Sequence, residues 1–420
     1  MYIIIFFFLI VNCSRITAFT IFTFNATIKI TMNVSNIYFT SMRTKTDESL
    51  LVKMDRLIKK AGINEIDFTK KFAAIKIHFG EPGNLSFLRP NFAKVAADRI
   101  RLLGGMPFLT DCNTLYTGRR GDGLSHLLAA AENGFTPLST GCHNIIADGI
   151  RGTDDVEVPV RGGKFCKTAR IGKAIMDADI IVSLNHFKGH EATGFGGAIK
   201  NIGMGSGSRA GKMAMHHDGK PRVSNEACIC CKICARFCAH GAIAFDGGKA
   251  IINRDKCTGC GRCIGSCTKN AIVNDLGSSN DMLSRKIVEY AKAVLDGRPN
   301  FHISVVNQVS PFCDCHGSND AAIVPDIGIF AGFDPVALDK ACIDAVNAAP
   351  PIQSSIMGGL RSKASLQSKA SLQSKAGSPD ETGGADYFTN IHPSTDWRTQ
   401  ITYAEKIGLG SSSYKLITVK

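Results

Sequence analysis

Apolar and polar residues alternate along most of the chain in blocks that are typical of strands followed by helices. Short apolar runs bounded by turn residues predict strands at residues 37–41, 72–79, 106–111, 145–148, 156–160, 179–184, 301–306, 323–330 and 414–419. Apolar residues at helical spacing, several times followed by Gly, predict helices at residues 47–61, 90–103, 123–133, 167–176, 281–295, 335–345 and 396–407. This order predicts an α/β fold in which helices flank a largely parallel sheet.

The alternation stops near residue 220 and resumes near residue 280, which divides the chain into segments. We expect one α/β domain in two parts, residues 32–223 and 277–361, with an insert at 224–276 between them. Residues 377–420 add a final helix and strand to the same domain. Residues 362–376 read SKASLQSKASLQSKA, a repeat without an apolar face, and we interpret them as a low-complexity insertion.

An apolar run at residues 2–11 lies within an N-terminal extension, residues 1–31. The run is shorter than the ~20 residues that a helix needs to cross a bilayer. No Lys or Arg precedes it, although a signal peptide would carry one there. We therefore interpret residues 1–31 as lying outside the fold, and we expect a cytoplasmic protein without membrane association. The alternative is organelle or secretory routing by this extension.

The composition adds one question about partners. Hydrophobic residues make up 44% of the 420 positions and charged residues 20%, which excludes a disordered, collagen-like or multi-span membrane protein. The net charge of +13 suggests nucleic acid as a partner. No run of Lys and Arg is interleaved with aromatic residues, however, so we expect no nucleic-acid binding.

The strongest chemical signal is a duplicated cysteine motif in the insert. Nine of the sixteen Cys lie between Cys228 and Cys267, and the pattern C-x2-C-x2-C-x3-C occurs twice, 29 residues apart. Three thiolates of such a motif bind one iron–sulfur cluster and the fourth binds the other. Paired zinc sites are the alternative, but zinc does not require a third Cys at this spacing. The motif therefore predicts two 4Fe–4S clusters, held by Cys228, Cys231, Cys234 and Cys267 (cluster 1) and by Cys257, Cys260, Cys263 and Cys238 (cluster 2).

The insert resembles bacterial-type two-cluster ferredoxins. It departs from them at Ala239 and Thr268, where Pro usually follows the fourth Cys, and at Cys230, which stands where the second half has Gly259. None of these changes removes a ligand, although packing near a cluster affects its reduction potential. The resemblance implies a relay of single electrons to or from an unidentified donor or acceptor protein.

A second candidate site follows the apolar run 179–184. Gly194, Gly196 and Gly197 lie between a strand end and a helix start, where open α/β sheets bind ligands, and we predict that they form an anion-binding loop. The candidate catalytic residues beside this loop are His186, Lys188, His190 and Lys200. Together they predict a pocket for a small anionic substrate. The alternative is a tight turn that needs Gly for packing and uses the histidines as polar caps.

A third motif, Cys313-x-Cys315-His316, carries thiol and imidazole groups after the run 301–306. Such a motif binds a metal ion or forms a redox pair when further groups are near it. A reduced structural turn is the alternative. The sequence does not decide whether Cys313 and Cys315 face the predicted pocket.

Three segments together resemble the domain of unknown function 362 family, whose members are described as uncharacterised iron–sulfur proteins. They are the insert, NHFKGHEATGFGGAIKNIGMG at 185–205 and CDCHGSNDAAIVPDIGIFAGFDPVALDKA at 313–341. The resemblance implies an α/β domain with a ferredoxin-like module, mostly in anaerobic microbes, and it implies no substrate. We predict an iron–sulfur redox protein that relays single electrons to or from the α/β domain with its pocket. One form of such a protein is an oxidoreductase whose substrate the sequence does not identify. The alternatives are a non-catalytic electron carrier or docking protein, and a protein with purely structural clusters.

Overall fold

The computed structural model describes residues 34–115, 118–216, 220–238, 240–257, 262–269, 271–274, 280–358 and 386–420. The predicted extension 1–31, the repeat 362–376 and Cys260 lie outside these described residues. No helix in the described ranges is both long and apolar enough to cross a membrane.

The strands and helices follow one another in the α/β manner. The strands are β1 Ser35–Ser41, β2 Phe72–Lys76, β3 Met106–Asp111, β4 Asn144–Ile146, β5 Asp155–Pro159, β6 Thr168–Gly172, β7 Ile180–His186, β8 Lys188–His190, β9 Gly194–Gly196, β10 Pro221–Val223, β11 Ile243–Asp246, β12 Lys249–Ile252, β13 Ile272–Asn274, β14 Asn300–Val306, β15 Gly328–Gly332 and β16 Tyr414–Thr418. The helices are α1 Leu50–Lys60, α2 Pro90–Leu102, α3 Gly123–Glu132, α4 Pro137–Thr140, α5 Lys173–Asp177, α6 Ala198–Ser206, α7 Arg209–His216, α8 Ile233–Arg236, α9 Arg262–Ser266, α10 Asn280–Leu295, α11 Pro335–Ala348, α12 Tyr387–Ile391 and α13 Arg398–Lys406. A short 3-10 helix spans Ile63–Glu65.

An eight-stranded sheet in the order β16-β1-β15-β14-β7-β2-β3-β4 forms the centre of the fold. β15 runs antiparallel to both its neighbours, and every other pair in this sheet is parallel. The prediction of an α/β fold with a largely parallel sheet is therefore confirmed.

The burial of the central strand β7 shows that the sheet is covered on both faces. All seven of its residues are buried. Ile180, Val182 and Leu184 enter one hydrophobic core, with apolar residues of α1 and α2, whereas Ile181 enters the other, with α6, α10 and α11. A strand buried on both faces reads as a continuous apolar run, as IIVSL does here.

The order of the strands places a crevice beside β2. After β2 the chain adds β3 and β4 on one side, and β7 and β14 follow on the other side. The strand order reverses between β2 and β7, and ligands of open α/β sheets bind at the carboxyl edge of such a reversal. The residues that follow these strands are therefore the ones to examine for function.

The segment that contains the cysteine motifs folds as short elements beside this sheet. β10 pairs with β13, and β11 pairs with β12, in two small antiparallel sheets. Cys228, Cys234, Ala250, Ala271 and Ile272 form a small core of their own. Strands before and after this segment join the same eight-stranded sheet.

Two predicted elements differ from the observed ones. The predicted helix 167–176 begins instead as strand β6, because Thr168–Gly172 pairs antiparallel with Asp155–Pro159, and only Lys173–Asp177 is helical. The predicted strand 323–330 becomes paired only at Gly328. The residues before Gly328 form a loop instead of a strand. In this loop the Asp326 carboxylate accepts a hydrogen bond from the Gln308 backbone N–H.

Candidate functional site

A pocket lies at the carboxyl edge of the sheet, beside the reversal of strand order. Residues from β2, β3 and β7, from the hairpin β8–β9, from α6 and α7, and from the loop after β14 line it. All four candidate catalytic residues line the pocket, namely His186, Lys188, His190 and Lys200. Cys313 and Cys315 line it as well, so the sequence motif that follows β14 faces the predicted site.

The glycine-rich segment forms a hairpin and then a helix. Lys188–His190 pairs antiparallel with Gly194–Gly196, and α6 begins after Gly197. Gly194 has φ +79°, a left-handed conformation that favours Gly. Its position leaves no room for a side chain either, because a Cβ there would lie 2.8 Å from the Trp397 side chain.

A carboxyl group of the chain itself lies at the N terminus of α6, directly after the predicted anion loop of Gly194, Gly196 and Gly197. Asp339 of α11 accepts hydrogen bonds from the backbone N–H groups of Ala198 and Ile199, at 2.6 and 2.9 Å. A Cβ on Gly197 would collide with this carboxylate, so the Gly allows the close approach. Since Asp339 already accepts the hydrogen bonds of these two N–H groups, we expect side chains to provide the anion binding in the pocket.

Asp314 holds two of the candidate residues in place. Its carboxylate lies 3.0 Å from Nδ1 of His186 and 2.8 Å from Nζ of Lys188, and all three side chains are buried. His186 Nε2 also lies 2.8 Å from the Asn307 carbonyl oxygen. Although burial alone would raise its pKa, His186 and Lys188 keep the pKa of Asp314 well below its usual range.

The other two candidate residues meet the thiols. Lys200 Nζ donates a hydrogen bond to Cys313 Sγ at 3.5 Å. The ligand atoms of His190, Cys313 and Cys315 lie within 4.8 Å of one another. The hydrogen bond between the two thiols raises the pKa of Cys313 to about 11 and lowers that of Cys315, so Cys315 loses its proton first. Burial, together with the charge of Lys200, lowers the pKa of His190.

The pocket holds more cations than its own carboxylates balance. Lys76 pairs with Asp111 at 2.9 Å, and Arg120 pairs with Glu81 at 2.9 Å. In the described part of the chain, no carboxylate lies within 4.0 Å of Lys200 or Lys212. Nη2 of Arg120 is buried and has no hydrogen-bond partner among the described residues. An anionic ligand would satisfy these groups.

The predicted ligands of cluster 1 surround one smaller cavity. Cys228, Cys231, Cys234 and Cys267 all line it. The backbone N–H of Ala250 donates to Cys228 Sγ at 3.4 Å, and that of Ala271 donates to Cys267 Sγ at 3.2 Å. The hydrogen bond from Ala250 lowers the pKa of Cys228, which favours the thiolate that a metal requires.

The predicted ligands of cluster 2 are described in part. Cys238, Cys257 and Cys263 lie in the described ranges, and Cys260 does not. The backbone N–H of Ala242 donates to Cys238 Sγ at 3.3 Å. Ala271 makes the same hydrogen bond four residues after Cys267, so the two halves of the duplication agree in this detail.

Sequence reasoning missed the acidic and basic groups that organise the pocket. Asp314 lies between the two thiols of the motif CDCH, which are the stronger chemical signal, and Asp339 lies in α11, far from the pocket residues in the sequence. Arg120 lies in a loop with no pattern that distinguishes it. Asp111 is the exception, because it directly ends a predicted strand at the carboxyl edge of the sheet and the sequence indicates it there.

Comparisons with known proteins give a family match and distant structural likenesses. A family model described as "Domain of unknown function (DUF362)" matches residues 73–344. No curated protein matches the sequence.

Two solved structures resemble this fold at a distance. A protein from Thermotoga maritima has 12% identity and a TM-score of 0.38, over 72% of this chain and 59% of that one. The lactate racemase apoprotein from Thermoanaerobacterium thermosaccharolyticum has 14% identity and a TM-score of 0.40, over 92% of this chain and 83% of that one. At these TM-scores, no property of either protein is carried over to this chain.

Proposed function

The chain belongs to the DUF362 family, whose description assigns no activity, and we propose its function from its own residues. It is an iron–sulfur redox protein that holds two 4Fe–4S clusters. It moves single electrons between a partner protein and a small anionic substrate in the basic pocket.

One observation carries the proposal: four thiols from two distant motif halves surround one cavity. Cys228, Cys231 and Cys234 come from the first motif and Cys267 from the second. This exchange of the fourth ligand is the arrangement that two-cluster modules use. The cavity is also lined by apolar groups such as Ile229 and Ile272, which limit the access of water to a cluster.

The spacing of the thiols favours a cluster over a single zinc ion. A tetrahedral zinc ion with Zn–S distances of about 2.3 Å brings its sulfur ligands within about 4 Å of one another. Among the described residues of the insert, no three thiols lie within 4.8 Å of one another. A wider centre such as a cubane fits this set better.

The chain supplies hydrogen bonds to the thiolates, and a bound 4Fe–4S cluster would supply one-electron transfer. The N–H groups of Ala250, Ala271 and Ala242 direct positive charge at three of the sulfur atoms. Hydrogen bonds of this type stabilise negative charge at a metal centre and so raise its reduction potential.

A chain of contacts connects the cysteine insert to the pocket. The Arg151 guanidinium lies 4.0 Å from the centre of the Phe237 ring, next to Cys238 in the sequence. The Arg151 carbonyl oxygen accepts a hydrogen bond from Nε of Arg209, at the start of α7. Lys212, on the same helix, lines the pocket. The end of the first motif is thus connected to a helix that lines the pocket, through Arg151 and Arg209.

The cluster proposal is tested by the iron content of the full chain after anaerobic reconstitution. We expect about eight iron atoms and eight sulfide ions per chain, because each 4Fe–4S cluster contributes four of each. Cys267→Ser removes one ligand of cluster 1 and lowers the iron content to about four. Cys230→Ser, a thiol outside both ligand sets, retains about eight and is the matched control. An unchanged iron content in Cys267→Ser would contradict the proposed ligand set.

The substrate part of the proposal is tested by anion binding. Malonate and inorganic phosphate are titrated into the reconstituted chain by calorimetry at constant ionic strength. We expect binding that weakens about tenfold in Lys212→Ala, because a charge-assisted contact of 1.4 kcal/mol corresponds to that factor. An exposed lysine, Lys94→Ala, is the control. Absence of binding for both anions would favour the non-catalytic electron carrier.

A further inference from the structure

The pocket of the α/β domain contains a compact group of metal-binding side chains that is separate from the cysteine insert. His190, Cys313 and Cys315 each offer one ligand atom, and these atoms lie within 4.8 Å of one another. His190 and Cys313 are buried, and all three residues line the basic pocket. Three soft or borderline ligands on rigid neighbouring segments form a set that thiophilic divalent ions prefer.

We propose that His190, Cys313 and Cys315 bind one zinc ion, whose fourth coordination position opens into the pocket and takes an oxygen atom of the anionic ligand. Two Cys and one His with an open fourth position is a catalytic zinc arrangement. The proposal extends the proposed function at the same pocket and rests on it only for the anionic nature of the ligand. The zinc site itself rests on the three side chains.

The surroundings of Cys313 suit a metal-bound thiolate. Lys200 Nζ donates to its sulfur at 3.5 Å, and the backbone N–H of Cys315 donates to it at 3.4 Å. Both donors stabilise negative charge on sulfur. Hydrogen bonds from outside the ligand set orient and tune metal ligands in this way.

The surroundings of His190 leave one ring nitrogen for the metal. The backbone N–H of Ala192 donates a hydrogen bond to Nδ1 at 3.2 Å, so Nδ1 acts as an acceptor. Thr193 Oγ1 lies 2.9 Å from the same nitrogen and donates to the Phe195 carbonyl oxygen. Because Nδ1 is occupied by these groups, Nε2 is the ring nitrogen that can bind the metal, and binding there displaces its proton.

The charge of the pocket is compatible with an anion at the fourth position. A zinc ion and two thiolates carry no net charge together, so the ion leaves the charge of the pocket unchanged. Lys200 and Lys212 still lack a carboxylate within 4.0 Å in the described ranges. A carboxylate or phosphate oxygen on zinc would lie beside these cations, and zinc would polarise the group that it binds.

A second group shares Cys315 and differs in exposure. Glu191, Cys315 and His316 also lie within 4.8 Å of one another. His316 Nε2, however, lies 2.8 Å from the Glu191 carboxylate, and both side chains are partly exposed, at 50% and 39%. These two groups already bind each other, so we assign the ion to the buried set.

The test measures zinc in the iron-loaded full chain. The protein is purified anaerobically, supplied with Zn²⁺ alone, freed of excess ion and analysed for both metals. We expect one zinc ion per chain in addition to the iron. X-ray absorption at the zinc edge should show two sulfur ligands at about 2.3 Å and one nitrogen ligand at about 2.0–2.1 Å.

Variants separate this site from the insert. Cys315→Ser and His190→Ala should each weaken zinc binding about tenfold or more, with the iron content unchanged. Cys112→Ser alters another thiol of the same pocket, outside the ligand group, and should retain the zinc. Circular dichroism and the iron content show whether each variant folds. The zinc-edge spectrum of the unaltered chain tests the ligand set without any variant.

Three results would overturn the zinc site. They are a zinc edge with sulfur ligands only, zinc retained in both ligand variants, and a Cys313–Cys315 disulfide in place of zinc after anaerobic purification. The iron content tests the two clusters separately. The proposed function can therefore hold even if the chain does not bind zinc at this site.

Discussion

Asp314 is fully buried between His186 and Lys188, and it connects the two motifs of the pocket. Its backbone carbonyl oxygen also accepts a hydrogen bond from Glu81, in the loop after β2. One residue of the CDCH motif therefore fixes groups from two other segments. The spacing of the motif follows from this geometry, because Cys313 and Cys315 flank the anchored Asp314 on both sides.

Asp314→Asn should lower the free energy of unfolding by about 3–5 kcal/mol, because it leaves the buried Lys188 ammonium without its charge partner. Asp177→Asn, which breaks an exposed ion pair with Lys173, should have a much smaller effect. Chemical denaturation of both variants under anaerobic conditions measures the difference. Equal losses in the two variants would contradict the role given to Asp314.

Asp339 is a second buried carboxylate, and it has no cationic partner among the described residues. It accepts hydrogen bonds from two N–H groups at the start of α6. Burial raises its pKa to about 7. In the unfolded chain an Asp ionises near pH 4. The folded chain thus holds an extra proton between these values, and the stability that this proton provides is complete below about pH 4 and is lost as the pH rises through 7.

Asp339→Asn should remove that pH dependence. For the unaltered chain we expect a loss of about 2 kcal/mol of stability between pH 5.5 and 7.5, from a folded pKa near 7. The Asn variant should lose less, because its side chain does not ionise. Anaerobic denaturation at both pH values gives the two differences, with the exposed carboxylate change Asp396→Asn as control. Parallel pH profiles in Asp339→Asn and the unaltered chain would show that Asp339 is already ionised at pH 5.5.

At the scale of single elements, the first cysteine loop uses two residues in the left-handed conformation. Cys230 has φ 57° and Lys232 has φ 65°. At the corresponding positions, 29 residues later, the second motif has Gly259 and Gly261. Gly adopts this conformation without steric cost. The first motif therefore places two side chains in a strained conformation, at positions where the second motif has Gly in the sequence.

Cys230→Gly and Lys232→Gly should each retain the full iron content, because Gly relieves the left-handed strain and neither side chain is a predicted ligand. Lys232→Val should lower the iron content, since a β-branched residue is strongly disfavoured at positive φ. Iron and sulfide analysis after anaerobic reconstitution compares the three variants. A loss of iron in Cys230→Gly would instead make Cys230 a ligand.

The elements were largely predictable from sequence because most of them depend on local spacing. Helices α2 and α11, and strand β7, follow directly from the pattern of apolar residues. The sequence TARIG at 168–172 also fits a helical pattern, so the spacing predicts a helix there. Pairing with Asp155–Pro159 makes them a strand, and a contact of this kind is not visible in the spacing of one segment.

At the scale of the whole molecule, a cation–π contact connects the segment that contains the cysteine motifs to the loop before β5. Arg151 lies over the Phe237 ring at 4.0 Å, and its carbonyl oxygen is held by Arg209. Such contacts contribute about 0.5–1 kcal/mol at exposed sites. The contact is therefore strong enough to bias the position of the insert and too weak to determine the folding of either part.

Arg151→Ala should make the segment around Phe237 more accessible while the unfolding transition of the α/β domain stays in place. We expect faster hydrogen exchange in residues 233–238, with little change in β7 or β14, because those strands are buried in the sheet. Arg170→Ala, which removes an exposed ion pair with Glu157, is the control. Unchanged exchange around Phe237 would exclude the contact as a connection between insert and pocket.

The whole-molecule arrangement was predictable only in outline. The alternation of elements gave the α/β class, and the sheet confirms it. The pocket combines Lys76, Arg120, Asp314 and Lys212 from four separate regions of the chain, and no local pattern connects them. Long-range packing brings these groups together, so the sequence predicts the edge of the sheet and the charges next to it in one segment, such as Lys188 and Lys200, and misses those from distant segments.

The central claim, a two-cluster redox protein, is tested most directly by electron paramagnetic resonance of the full chain after anaerobic reconstitution and dithionite reduction. The account predicts about eight iron atoms and eight sulfide ions per chain, and interacting S = 1/2 signals from two reduced 4Fe–4S clusters close together. Zinc in place of iron in the cysteine insert would contradict it. Iron that dithionite does not reduce would contradict the relay of electrons and leave the clusters a structural role.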